Sequence, residues 1–303
     1  MSTMTFPQFR VGEAVRHQSL ALFPLCGESE SEIDYRLSDE AFAQESLLVE
    51  EINEGGSVPE LLGENKSDTQ VLFLEGEELI GAKQNRILNA SVLIGAGNKI
   101  KIPVSCVEQG RWDYNSRYFH SSGSHSPSKL RHSLKSSVHC SLMAGSGHRS
   151  DQGEVWSEVE KMQSSHGVDS ATRAMSDTFS AHEVEVTNYR EHLPYVEGAT
   201  GLAIVVGDKL VSVDLFDKAS TCEKVWNRLI SGTILEALQA QTSEQMPEVK
   251  DVEQLVKQTQ EMTWQNVPPV GEGEEHRAQG EQGEQASALL YEGTLVHGSV
   301  VMQ

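Results

Sequence analysis

Residues 75–112, EGEELIGAKQNRILNASVLIGAGNKIKIPVSCVEQGRW, form the most informative stretch of this 303-residue chain. Two apolar runs, 86–94 and 99–104, are separated by the Gly-rich turn 95–98, a pattern that favours a β-hairpin. The second run begins with alternating polar and apolar residues, as a half-buried strand does. Because Pro103 has no N–H to donate, we expect this strand to lie at a sheet edge or to end there.

Two polar clusters bracket these strands. The first joins Glu77 and Glu78 to residues 83–86, and the second spans 106–112. In a hairpin centred on 95–98, residues near 86 fall opposite residues near 107. The sequence therefore predicts that both clusters belong to one site.

The rest of the chain predicts a mixed architecture. The region 13–110 consists mostly of short β-favouring runs separated by turns, which is typical of an antiparallel β-sandwich-like unit. Asp151 with Glu154 indicates a capped helix start. Further elements are expected at 171–189 (helix), 201–216 (hairpin), 217 or 220 onward (amphipathic helix), about 249–262 (short helix) and 286–301 (final hairpin).

The predicted fold class is therefore α+β, with an N-terminal β-sandwich-like part, then helices and two further β-hairpins that join one sheet. After a tail at 1–12, one domain is expected to comprise 13–240 and 286–303. Within it, 111–150 is Ser-rich and basic, with five histidines and Asp113 as its one acid, and a flexible loop is one interpretation. The acidic Gln/Gly/Glu-rich segment 241–285 is expected to be a partly disordered insertion, structureless over 265–285.

The composition limits the partners and the cellular compartment that we expect for the protein. The formal net charge of −21 argues against nucleic-acid and anionic-membrane partners. No apolar run approaches the roughly 20 residues of a membrane span, and the first residues predict no signal peptide. The four widely spaced cysteines favour a reducing cytoplasm over a disulfide framework.

Four residues are candidates for catalysis. Glu77, Glu78 or Glu108 could act as a general acid or base, although only one of two strand neighbours is expected to face inward. Cys106 could be a nucleophile if a cation lowers its pKa, but a lone strand cysteine is more often a small buried apolar residue. No catalytic role is assigned to any of them from the sequence alone.

Other residues of the two clusters suit a phosphate-bearing ligand. Arginine and lysine contact phosphate oxygens, amides suit hydroxyls and bases, and an indole can stack on a base or ribose. The alternative is a polar turn that only joins strands. The candidate ligand-binding residues are Lys83, Gln84, Asn85, Arg86, Gln109, Arg111, Trp112 and Arg131.

Other motifs point to no known chemistry. His120, His125, His132, His139 and His148 lack the spacing of zinc ligands, so no metal is expected, and no cofactor is indicated. Arg149 precedes the helix start at Asp151, but the capping carboxylate would occupy the N–H groups that bind an anion. There is no GxSxG motif, no P-loop and no GxGxxG that opens a helix.

The quoted stretch 75–112, with RSDQGEVWSEV at 149–159 and LVSVDLFD at 210–217, resembles the ARG and rhodanese-phosphatase-superfamily-associated protein domain. The resemblance covers about 13–240 and the last hairpin. It implies a domain associated with ADP-ribosylglycohydrolase-type and phosphatase-type proteins, near nucleotide or ADP-ribose chemistry, and implies no catalytic residues.

Three hypotheses follow. The first is an intracellular binding module for a phosphate-bearing nucleotide or ADP-ribose-like ligand. The second is a hydrolase that acts on such a ligand, with Glu77 or Glu108 as general base. The third is a protein-interaction scaffold without a small-molecule ligand.

Overall fold

The structure, a computed structural model, describes residues 7–27, 31–243 and 247–303. Its strands are β1 (Phe9–Val11), β2 (Val15–His17), β3 (Leu20–Gly27), β4 (Tyr35–Leu37), β5 (Leu47–Glu51), β6 (Glu60–Asn65), β7 (Gln70–Phe73), β8 (Glu77–Gly81), β9 (Arg86–Leu88), β10 (Val92–Ile94), β11 (Lys99–Cys106), β12 (Phe119–His125), β13 (Gly201–Val206), β14 (Lys209–Phe216), β15 (Gln265–Val267), β16 (Glu274–Gln279), β17 (Gln285–Tyr291) and β18 (Thr294–Val301). Its helices are α1 (Ser38–Ala43), α2 (Ser128–Met143), α3 (Gln152–His166), α4 (Met175–Ala181), α5 (Glu183–His192), α6 (Ala219–Gln239) and α7 (Val249–Glu261). The α+β class predicted from the sequence is confirmed.

The chain divides into two compact units. The first unit combines three segments and the second combines two, so the chain passes between them more than once. Nothing in the sequence pattern signals this division. The segments are Met1–Glu32, Val184–Pro268 and Glu274–Gln303 for the first unit, and Ile33–Glu183 and Pro269–Gly273 for the second.

The first unit is built on a nine-stranded sheet. Its strand order is β1-β3-β13-β14-β18-β17-β16-β15, and β2 also pairs with β3. The predicted hairpins β13–β14 and β17–β18 are both present, and they join because β14 pairs with β18. The prediction that both hairpins belong to one sheet is therefore confirmed.

The two faces of this sheet carry different helices. On one face, apolar side chains such as Phe23, Val213 and Leu290 form a core with Val252 and Val256 of α7. On the other face, α6 packs on β3, β13 and β14. The buried stripe predicted for α6, which includes Trp226, is present, so it belongs to the core, as its helical spacing indicates.

The second unit contains two further sheets, of orders β10-β7-β4 and β12-β8-β9-β11-β6-β5. Side chains from both sheets meet in one apolar core, in which Phe73 and Ile94 of the smaller sheet pack with Leu61, Leu79 and Ile102 of the larger. This arrangement is the predicted sandwich-like part from β4 onward, and α1 contributes Ala41 to its core. The predicted range 13–110 is too long at its start, because β2 and β3 belong to the nine-stranded sheet of the first unit.

The strands before and after the turn 95–98 do not pair as the predicted hairpin requires. The run 86–94 is broken into two strands: β9 pairs with β11, whereas β10 pairs with β7 in the other sheet. The edge position expected for Pro103 is wrong, because β11 lies between β9 and β6. The proline is tolerated there because the ladder with β9 begins only at Val104, one residue later.

Two segments differ in secondary structure from what the sequence suggested, the basic Ser-rich region 111–150 and the helix predicted over 171–189. In the basic Ser-rich region, a loop was one interpretation, but the chain forms β12 and then the 16-residue helix α2. Leu130, Leu134 and Val138, at helical spacing, are buried on α2. The single helix predicted over 171–189 is two helices, α4 and α5, that meet at His182.

The prediction that 265–285 is a structureless linker is wrong. Residues 265–267 and 274–279 form β15 and β16, and β16 pairs with β17 along six residues. Composition misled the prediction because the polar side chains of Glu275, His276 and Arg277 are buried in this strand. Of the rest of the expected insertion, α7 was predicted correctly, and residues 244–246 lie outside the described residues.

In the part of the chain that the structure describes, no helix is both long and apolar enough to cross a lipid bilayer.

Candidate functional site

The strand-end cluster, defined as residues 82–86 and 107–112 of the second unit, is assembled by the pairing of three strands. Arg86 of β9 lies opposite Leu79 of β8 on one side and opposite Cys106 of β11 on the other. The turn that enters β9 and the loop that leaves β11 are therefore neighbours, and the N–H of Val107 donates to the carbonyl of Asn85 at 3.0 Å. The structure thus brings both predicted polar runs together. They are joined by the pairing of β9 with β11, whose connection is longer than the tight hairpin predicted at 95–98.

Arg111 is the centre of the strand-end cluster. Its Nε and Nη2 donate to the two carboxylate oxygens of Glu108 at 2.9 and 2.6 Å. The same guanidinium also donates to the carbonyl of Ala82 at 2.5 Å and to Oδ1 of Asn85 at 3.3 Å. A bidentate pair of this kind fixes the geometry of both partners. Arg111 therefore joins the two halves of the cluster.

Arg86 is fully buried. Its Nη2 lies 3.5 Å from Oε1 of Glu51, and its Nη1 donates to Oε1 of Gln84 at 3.0 Å. The guanidinium carbon lies 5.7 Å from the centroid of the Trp112 ring. Because the charge is compensated by a buried carboxylate and an aromatic face, Arg86 belongs to the interior of the unit.

Lys83 connects the strand-end cluster to the surface. Its ammonium donates to the carbonyl of Glu54 at 2.6 Å and lies 5.3 and 5.0 Å from the rings of Trp112 and Tyr114. Both rings are large and exposed, at 46% and 47% of their surface. Exposed aromatic rings on a rigid framework offer stacking surface to a ligand.

The remaining amides of the cluster contact other parts of the unit. Asn85 donates from Nδ2 to the Ser176 hydroxyl at 3.1 Å. Gln109 is exposed, and its Oε1 accepts from Nη1 of Arg173 at 2.9 Å. These contacts anchor the cluster to the segment around α4.

Both candidate carboxylates of β8, Glu77 and Glu78, are buried, and they contact different parts of the second unit. Glu77 accepts from the Ser38 hydroxyl and from the N–H of Leu74. Burial raises the pKa of Glu78 to about 8; the carboxylates of Glu108 and Asp177 add to this, and hydrogen bonding by Ser122 and Ser176 opposes it. Glu78 is therefore protonated at neutral pH.

Glu108 has the opposite character. Burial works against its ionisation, but hydrogen bonds from Arg111 and from the N–H of Asn85 outweigh burial and hold its pKa below the usual value. Two interacting carboxyl groups, Glu78 and Glu108, are thus held in different protonation states.

Cys106 has no feature of a nucleophile. Its side chain is buried, and burial raises the pKa of its thiol to about 11, against a smaller opposing effect of Arg86. Its backbone is held by Gln152, which accepts from its N–H and donates to its carbonyl at 2.8 Å each. The thiol serves as a small apolar side chain of β11.

Arg131 lies outside the strand-end cluster, on α2, where it is buried one helical turn before Lys135. The Lys135 ammonium lies 2.6 Å from Oε1 of Glu75, and both side chains are buried. This pair holds α2 to Glu75, at the start of the stretch 75–112.

Asp151 caps α3 as predicted, accepting from the N–H groups of Gly153 and Glu154.

Sequence reasoning missed an open cleft beside the cluster. The cleft has a volume of about 640 Å³ and lies in the second unit. A signal was present in the acidic residues at and just after the end of β5 and in the aromatic and basic residues after Trp112, but neither looked like a motif. The cleft is lined by Glu50, Glu51, Ile52, Asn53, Glu54, Tyr114, Asn115, Ser116 and Arg117.

Across residues 7–27, 31–243 and 247–303, no group of three or more His, Cys, Asp or Glu side chains is arranged to hold a metal ion. The polar residues of the strand-end cluster contact each other, the protein backbone, or side chains outside the cluster such as Glu51, Ser176 and Arg173.

Fold and site together define a mixed α+β protein whose second unit carries a polar cluster at strand ends and an open cleft lined in part by Tyr114. The chain belongs to the ARG and Rhodanese-Phosphatase-superfamily-associated Protein domain family (ARPP-1), whose model matches residues 8–301. The match includes the segment 241–285. Comparison with curated proteins gave no match, and neither did comparison with solved structures.

Proposed function

We propose that this protein is a binding module for a small nucleotide-type ligand, and that the ligand occupies the cleft between residues 50–54 and 114–117. The observation that carries the proposal is the cleft itself, at about 640 Å³, which the exposed ring of Tyr114 lines. The exposed ring of Trp112 is near it, since the Lys83 ammonium lies 5.3 Å from the Trp112 ring and 5.0 Å from the Tyr114 ring. Sites for small molecules have volumes of about 300–1,000 Å³ and combine aromatic walls with a few polar groups.

Each part of a nucleotide has a matching group at the cleft. A base can stack on the exposed rings of Trp112 or Tyr114. The carboxylate of Glu54, which is exposed, accepts hydrogen bonds from ribose hydroxyls. The exposed guanidinium of Arg117 can pair with a phosphate.

This proposal gives Arg86 and Arg111 a different role from the one expected from the sequence. Their guanidinium groups contact Glu51 and Glu108, which favours a role in holding the rings and the cleft walls in place. The ligand contacts are assigned instead to Trp112, Tyr114 and Arg117, which are exposed.

Calorimetric titration of the full chain with ADP-ribose, AMP and adenosine tests the proposal. We expect Trp112→Ala or Tyr114→Ala to weaken binding about 5- to 150-fold, because stacking contributes about 1–3 kcal/mol per base. Arg117→Ala should weaken AMP and ADP-ribose but not adenosine. Arg149→Ala, which removes an exposed arginine elsewhere in the second unit, is the matched control.

The absence of binding by all three compounds to the wild-type protein would refute the nucleotide proposal and favour a protein-interaction scaffold. Binding that is equally strong in the Trp112, Tyr114 and Arg117 variants would place the ligand elsewhere.

Hydrolysis is a second candidate, favoured by the different protonation states of Glu78 and Glu108. General acid–base hydrolysis uses one protonated and one ionised carboxyl group, and Glu108 is near enough to Glu78 for its charge to raise the pKa of Glu78. Incubation of wild-type protein with ADP-ribose, followed by chromatography, tests for turnover. If product forms, Glu78→Gln should abolish turnover and leave the dissociation constant unchanged.

A further inference from the structure

The cleft of the second unit carries two opposite charges on its two walls. Glu54 belongs to the wall 50–54, and Arg117 belongs to the wall 114–117. Both side chains are exposed, and no ion pair joins either of them to another side chain within the part of the chain that the structure describes. A ligand that brings one positive and one negative group therefore finds a partner for each of them.

The other two carboxylates of the cleft have cations of the protein beside them. Nη2 of Arg86 lies 3.5 Å from Oε1 of Glu51, and Nζ of Lys99 lies 3.8 Å from Oε1 of Glu50. Their charges are compensated in part before any ligand arrives. Glu54 is therefore the carboxylate whose charge is most available to a ligand.

The Tyr114 ring lies in the negative field of these carboxylates. Burial raises the pKa of the Tyr114 phenol, and the charges of Glu51, Glu54 and Glu50 raise it further. Because a charge acts on whatever lies near that ring, a base stacked on Tyr114 meets the same field. A negative field stabilises a positively charged base and has little effect on a neutral one.

The two exposed rings already attract one cation of the protein itself. The Lys83 ammonium lies 5.3 Å from the centroid of the Trp112 ring and 5.0 Å from that of Tyr114, within the range of cation–π attraction. Each ring still exposes almost half of its surface. Since Lys83 lies over one face of the Tyr114 ring, we expect a ligand on the other face.

We propose that the cleft selects nucleotides whose base carries a positive charge, such as an N-alkylated purine or a pyridinium, over nucleotides with a neutral base. This inference rests on the proposed function and names its ligand class. The base stacks on Tyr114 in the field of Glu54, and the phosphate pairs with Arg117. One oxygen of Glu54 can still accept from a ribose hydroxyl.

Calorimetric titration of the full chain with two isomers isolates the charge of the base. The 5′-monophosphates of 1-methyladenosine and N6-methyladenosine share their ribose, phosphate and number of methyl groups, but only the first has a positively charged base. We expect the wild-type protein to bind the 1-methyl isomer about 5- to 30-fold more tightly, as a cation–π contact and an exposed ion pair would give. Salt at about 1 M should lower this ratio, because it screens exposed charges.

A second pair of compounds distinguishes the two sources of a positive base. Oxidised nicotinamide mononucleotide contains a pyridinium, whereas its reduced form has a neutral ring. Tighter binding of the cation in both pairs would show that the cleft responds to the charge itself. Tighter binding in one pair only would identify either the alkylated purine or the pyridinium as the ligand.

Three variants assign the preference to the cleft. Glu54→Gln should lower the ratio of affinities about two- to five-fold, the share of an exposed ion pair, and should leave the neutral isomer nearly unaffected. Arg117→Ala should weaken both isomers and keep the ratio. Glu160→Gln removes an exposed carboxylate of α3 elsewhere in the second unit, so this matched control should change neither affinity.

Three outcomes would overturn the inference. Equal binding of the charged and neutral members of both pairs would leave the proposed function standing without a preference for charge. A ratio that Glu54→Gln and Glu160→Gln leave equally unchanged would place its origin outside the cleft. If no member of either pair binds, and AMP does not bind either, the proposed function fails together with the inference.

Discussion

Arg86 and Arg117 are both arginines of the second unit within reach of aromatic rings, but they differ in every physical respect that matters for a ligand. Arg86 is fully buried, and its guanidinium pairs with Glu51 and Gln84. Arg117 is exposed at the cleft, and its guanidinium carbon lies 5.0 Å from the Tyr118 ring. Residue type alone does not identify a ligand contact, because the same side chain serves the interior in one place and the surface in the other.

The difference extends to whole regions. The charged side chains of the strand-end cluster are paired with other groups of the protein, as Arg111 is with Glu108 and Arg86 is with Glu51. The cleft beside it keeps exposed rings at Trp112 and Tyr114. We infer that the cluster is the support and the cleft is the contact surface, and the following predictions test that division.

The largest effect is expected for Arg86→Ala. Removing one partner of a buried ion pair leaves Glu51 with an uncompensated charge and costs about 3–5 kcal/mol. Chemical denaturation should report this loss as a lower free energy of unfolding. Arg117→Ala should change the same quantity by less than about 0.5 kcal/mol. Equal effects of the two variants would show that the buried cluster and the cleft are not distinct.

The next effect concerns Glu78 and pH. Its folded-state pKa of about 8 exceeds the usual value of 4.5, so the folded state binds the proton more tightly than the unfolded state. This contribution to stability is fully present below pH 4.5 and is lost as the pH rises towards 8, at up to about 1.4 kcal/mol per pH unit. Over that window, Glu78→Gln should flatten the dependence of the unfolding free energy on pH. An unchanged slope in the variant would mean that another group is responsible.

The smallest effect is expected in thiol labelling, which compares the reactivity of buried and exposed cysteines in the folded protein. Cys140 is exposed, whereas Cys106 and Cys222 are buried and have thiol pKa values raised by burial. Iodoacetamide at pH 7.5 should therefore modify Cys140 well before the other two, as peptide mass spectrometry would show. Early labelling of Cys106 would revive its candidacy as a nucleophile.

Much of the fold could be predicted because local pattern and tertiary packing agree. The amphipathic stripe of α6, the Asp151 cap and the Gly turns of the hairpins each act over a few residues. The failures fall where distant contacts decide the outcome. The polar residues of β16 form a strand because β17 pairs with them, and no periodicity within 265–285 predicts that pairing.

The candidate site was predicted in the same partial way. The convergence of 82–86 with 107–112 follows from strand pairing and was anticipated. The burial of Arg86 depends on Glu51, which lies 35 positions earlier in the chain, and the cleft depends on residues 50–54 meeting 114–117. No local sequence pattern indicates contacts between such distant segments. Polar side chains that are buried in the protein interior were therefore predicted to contact a ligand.

The pairing of β15 and β16 has a further consequence, for aggregation. The nine-stranded sheet ends in short strands of three residues each, β1 and β2 on one side and β15 on the other. Short edge strands give other chains little backbone to pair with. If the segment 265–279 were deleted, the seven-residue strand β17 would become the edge, with long rows of backbone N–H and C=O groups facing solvent. An acidic segment that looks dispensable in the sequence therefore protects the sheet from joining, edge to edge, with another copy of itself.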